Sequence, residues 1–171
     1  MITVKGGDKI PIDEFKKAIA ATISNISYDS YVGLVSYSTD VTINLPIKQF
    51  DERQRAYFSG EIKNMRADGY TSTYSALLVA SRMIDNFGKT LNNYRPLIIL
   101  VTDGGQNTGW TYERTRPVFG GMQIPIYTVL YNYNGNDELS DLAKITTETD
   151  VIDSNSENLV NQLRGLFTVE G

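Results

Sequence analysis

The chain has no cysteine and no histidine. That excludes disulfides, thiol nucleophiles, Ser-His-Asp triads and zinc sites built on Cys or His. A metal here must be held by oxygen, which favours Mg²⁺, Mn²⁺ or Ca²⁺. The lack of cysteine leaves the compartment open, since it suits both the cytosol and a bacterial cell surface. No apolar run approaches the roughly 20 residues of a membrane helix, so direct membrane insertion is not expected. Basic clusters are absent as well. With 16 Lys and Arg against 20 Asp and Glu, the net charge is −4. Neither nucleic acid nor an anionic membrane is an expected partner. No Gly-x-Gly-x-x-Gly follows a strand pattern, so a dinucleotide has no phosphate cradle.

What is present is an ordinary globular composition, 41% hydrophobic and 21% charged. The 171 residues suffice for one domain with a sizeable core. The first residues, MITVKGGDKIPID, read as a loop leading into a helix. Ile12, Phe15, Ile19, Ile23 and Ile26 then recur at helical spacing. YVGLVSY, residues 31–37, reads as a strand. VTINLPI, residues 41–47, alternates and contains Pro46, which marks an edge strand, with a hairpin turn over Ser38-Thr39-Asp40. A polar helix is predicted over 50–65, weakened by Gly60, with Asp51-Glu52 as its solvated start. A second helix is predicted over 73–87, with Leu77, Leu78, Met83 and Ile84 inward. Further strands are predicted at 97–102, 124–131 and 151–152, and helices near 112–119, 137–146 and 156–167. Tyr127 and Tyr131 read as packing residues. Strands alternating with helices indicate a doubly wound α/β fold, a mostly parallel central sheet with helices on both faces and one antiparallel edge strand.

The stretch LIILVTDGGQN, residues 97–107, carries the most chemistry. A continuous apolar run reads as a strand buried on both faces. Asp103 follows at its carboxyl end, where open α/β sheets bind ligands. Asp103-Gly104 is equally a common turn dipeptide, so this motif alone leaves turn and ligand site both open. A second loop, Ala67-Asp68-Gly69-Tyr70-Thr71-Ser72, precedes the helix at Thr73. A threonine hydroxyl and an aspartate carboxylate are hard oxygen donors suited to Mg²⁺.

With these loops in place, the chain resembles the von Willebrand factor A domain family, also called the integrin I-like family. The resemblance runs in order through VGLVSYSTDV, ADGYTSTYSALLVA, LIILVTDGGQN, IPIYTVLY and NDELSDLAKIT. It implies a Rossmann-like fold and a non-enzymatic adhesion-type module with a metal-ion-dependent adhesion site (MIDAS). Such a site offers Mg²⁺, or Mn²⁺ or Ca²⁺, to an acidic side chain of a partner protein. By this resemblance Thr71 and Asp103 are metal ligands, with Thr73 a less favoured alternative to Thr71. Tyr70, Gly104, Gln106, Asn107 and Trp110 fall on the partner-binding loops, although Tyr70, Trp110 and Tyr112 equally suit packing of a loop onto its own domain. The resemblance favours a bacterial cell surface or a membrane-associated setting over the cytoplasm.

The chain departs from the family in one respect. The family's Asp-x-Ser-x-Ser motif, which follows its first strand, occurs nowhere here. Met1 fits the position just after that motif. The expectation is therefore a single domain over 1–171, N-terminally truncated, that lacks the first, central strand together with its ligands. An open slot would remain in the sheet, to be closed by another segment or by self-association with another chain. The short donor set predicts weak or absent metal binding. Two other readings stay open, a metal-independent assembly domain and a Mg²⁺-dependent phosphohydrolase using Asp103. A cation titration separates the first, and a phosphatase and nucleotide screen the second.

Overall fold

The structure, a computed structural model, describes residues 2–5, 16, 19–20, 23–65, 72–89, 94–102, 111–121, 124–131 and 152–154. Six described strands form one sheet: β1 (Ile2–Lys5), β2 (Tyr31–Tyr37), β3 (Val41–Gln49), β4 (Ile98–Thr102), β5 (Ile126–Tyr131) and β6 (Ile152–Ser154). Their order is β3-β2-β1-β4-β5-β6. All neighbouring pairs are parallel except β2 with β3, which forms the antiparallel edge. Three described helices accompany them, α1 (Glu52–Asn64), α2 (Thr73–Gly88) and α3 (Tyr112–Gly121). Lys16, Ile19, Ala20 and Ile23 are helical too; Ile19 and Ile23 are buried, as the spacing predicts, and Ala20 is exposed. The helices expected near 137–146 and 156–167 lie outside the described residues, as do the side chains of Tyr127 and Tyr131.

The central strand corrects the expectation of an empty slot. Ile2–Lys5 is itself a strand, paired with Leu34–Tyr37 on one side and Ile99–Val101 on the other. The physical reason is local and non-local at once. Ile2, Thr3 and Val4 are β-branched and suit a pleated surface. The inner edges of β2 and β4 carry backbone groups that cost about 1–3 kcal/mol each if buried unpaired. A short β-competent segment therefore enters the slot. The open slot that motivated self-association is occupied.

Both faces of the sheet centre are covered. On one, the stripe Ala76, Leu77, Ala80 and Ile84 of α2 packs with Val35, Tyr37, Ile98, Leu100 and Ile126. Residues of opposite parity, Leu34, Ile99 and Val101, are buried as well. This is why β2 and β4 read as continuous apolar runs. Helix α1 is mostly polar because it buries only a narrow i, i+4 stripe, Gln54, Phe58 and Ile62. The Asp51 carboxylate caps its start, accepting from the Gln54 N–H at 2.9 Å. At the other end the Lys16 ammonium donates to the Lys63 carbonyl at 2.6 Å, a cation at a helix C-terminus. A Cβ added at Gly60 would meet no atom within 4 Å. Gly60→Ala is therefore expected to stabilise the domain by about 0.5–1 kcal/mol, through helix propensity and a less disordered unfolded chain. A urea midpoint that falls instead would show that the glycine is needed for a reason other than space.

The edge hairpin carries two irregularities, both on β3. Between Leu34↔Leu45 and Val32↔Lys48, the single residue Gly33 faces Pro46 and Ile47. Between Leu34↔Leu45 and Val35↔Ile43, Asn44 has no opposite residue. Pro46 sits where a proline is tolerated, in a bulge on an edge strand. Amide side chains repair both places. The Asn44 carbonyl oxygen accepts from the Ser36 N–H at 2.8 Å, and its NH₂ donates to Glu61 on α1 at 3.3 Å. The Gln54 NH₂ donates to the carbonyls of Val32 at 3.1 Å and Pro46 at 3.0 Å.

Candidate functional site

A parallel sheet gathers the carboxyl ends of its strands along one edge. Register places Tyr37 beside Lys5, and Thr102 beside Leu130. The last β1–β4 pair is Val4↔Val101, so Lys5 and Thr102 lie one step further on, in the same transverse row. The chain leaves β4 at this row and continues with Asp103-Gly104-Gly105. It leaves β2 into the turn Ser38-Thr39-Asp40, closed by the Ser38 N–H donating to the Asp40 carbonyl at 3.0 Å.

Ser72, immediately ahead of α2, comes to the same edge by a specific contact. Ser72 immediately precedes the helix and is 1% exposed. Ser/Thr at this position ordinarily turns its oxygen onto the helix's own first N–H groups. Here Ser72 makes no such cap bond. Its hydroxyl instead donates to the Ser38 carbonyl at 2.7 Å, on the β2–β3 turn. Its own carbonyl accepts the Ala76 N–H at 3.1 Å, opening the helix. Thr73, the alternative ligand, is the first helical residue and 1% exposed.

The predicted site residues Thr71, Asp103, Tyr70, Gly104, Gln106, Asn107 and Trp110 lie outside the described residues. Their described neighbours Ser72 and Thr102 both stand at the carboxyl edge of the sheet. Among the described residues, no group of three or more Asp, Glu, His or Cys is placed to hold a metal. Thr71 and Asp103 are oxygen donors of the right hardness for Mg²⁺, but they are only two. β1 is followed by Gly6-Gly7-Asp8-Lys9, with no serine pair. Sequence reasoning missed Ser72 and Ser38. The pattern Ser-Thr before an apolar helix reads as an ordinary N-cap, and nothing local reveals a partner 34 positions away.

An open, mostly parallel α/β sheet with one antiparallel edge defines a Rossmann-like domain. The family model for the von Willebrand factor type A domain matches residues 6–165. The chain belongs to that family. No curated protein matches it in sequence. Among solved structures it is similar to a von Willebrand factor type A protein from Catenulispora acidiphila, with a TM-score of 0.78 and 17% identity, over 97% of this chain and 41% of that one. It is also similar to proximal thread matrix protein 1 of the mussel byssus, in a form with a zinc-occupied MIDAS motif. There the TM-score is 0.75 and the identity 16%, over 97% of this chain and 46% of that one. A third likeness is the pilus adhesin SpaC from Lactobacillus rhamnosus GG, with a TM-score of 0.76 and 12% identity, over 99% of this chain and 30% of that one. The chain thus spans less than half the length of these three proteins, and at such identities the likeness is one of fold.

Proposed function

We propose that this domain is a non-enzymatic protein-binding module that recognises its partner at the carboxyl edge of the sheet. Thr71 and Asp103 are the side chains that would hold a divalent cation there, and a carboxylate of the partner would complete its shell. The observation that carries this reading is the Ser72–Ser38 hydrogen bond. It brings Ser72, the residue after Thr71 in sequence, to the edge at which β4 ends in Thr102, the residue before Asp103. β2 and β4 are separated by two strand spacings, roughly 10 Å, a gap suited to a cation and two side chains. When bound, the cation would supply an open coordination position for an acidic group. Glycine at 104 and 105 sets no Cβ in the way of close backbone approach to a ligand.

Mg²⁺ demands near-octahedral geometry and gives up water reluctantly, so two protein donors hold it weakly. The affinity is expected on the order of 1 mM. Replacing Gly6–Ile10 with Asp-x-Ser-Gly-Ser moves the carboxylate from position 8 to position 6, directly after β1, adds two hydroxyls, and is expected to tighten binding at least ten-fold. Asp103→Ala is expected to abolish it in either background. Calorimetry with Mg²⁺ and Mn²⁺ on these variants checks both statements. Binding that survives Asp103→Ala would sink the site assignment. The adhesin and byssus likenesses support an extracellular or surface setting for the module. No described helix is long and apolar enough to cross a membrane.

A further inference from the structure

We draw no further inference here: the strongest candidate, the exposed aromatic patch at the amino edge of the sheet, where Tyr31 packs on Phe87 with ring centroids 5.2 Å apart and Tyr28 and Tyr94 stand open to solvent, is an unpartnered apolar face, and nothing in the structure shows what covers it.

Discussion

Arg55→Ala is expected to cost the domain about 3 kcal/mol, a fall of roughly 1–2 M in the urea midpoint. The Arg55 guanidinium is half-buried and donates to three backbone carbonyls. These are Phe50 at 2.9 Å, Ile23 at 2.9 Å, and Ile26. Ile23 is the last described helical residue of the segment ahead of β2, so two of these carbonyls belong to a helix end and the chain just beyond it. A cation there meets the negative end of the helix dipole. The same guanidinium lies 4.0 Å from the Tyr28 ring centroid and 4.5 Å from that of Phe50. One side chain thus joins the first helical segment, the entry to β2 and helix α1. Each hydrogen bond from a charged donor contributes about 1.5–3 kcal/mol when sheltered, and partial exposure reduces the sum. Arg55→Lys is expected to recover less than half of the loss, because an ammonium has no planar fork to serve three carbonyls. A midpoint within 0.3 M of wild type for Arg55→Ala would falsify the clamp.

Gln54→Leu is expected to lose about 2–3 kcal/mol although it preserves volume and adds apolar surface. The wild-type NH₂ serves the carbonyls of Val32 and Pro46, which the bulge leaves short of ladder donors. Leucine leaves both acceptors without this donor in a place where Gln54 is only 4% exposed. The loss of such a donor typically exceeds the gain from apolar burial. Chemical denaturation gives the total, and hydrogen exchange gives the location. Faster exchange is expected at the amides of β2 and β3, with the β4–β5 pairing unchanged. A Gln54→Leu variant as stable as wild type would mean that water serves those carbonyls equally well.

Much of the architecture was legible locally. The strand at Tyr31–Tyr37 and the helix from Thr73 follow from patterns that repeat within one element. Pro46 marked β3 as an edge strand because a proline cannot donate to an inner ladder. Asp103 at the end of an apolar strand gave the candidate site, since strand ends and ligands coincide in this class of sheet. The segment Ile2–Lys5 was not legible. Four residues are too few to carry a period, and a Gly-Gly-Asp sequence after them reads as loop. Its state is decided by the open edges of β2 and β4, which belong to other parts of the chain.

The polar residues divide the same way. Sequence alone determined that the domain has no Cys or His chemistry, that any metal is held by oxygen, and that a polar helix follows β3. It could not say that Gln54 repairs a bulge, that Arg55 closes a helix end, or that Ser72 binds Ser38. Periodicity records which face of an element is buried, because burial repeats with the backbone. A hydrogen bond between residues 34 positions apart leaves no period, and only the packed sheet brings its donor and acceptor together.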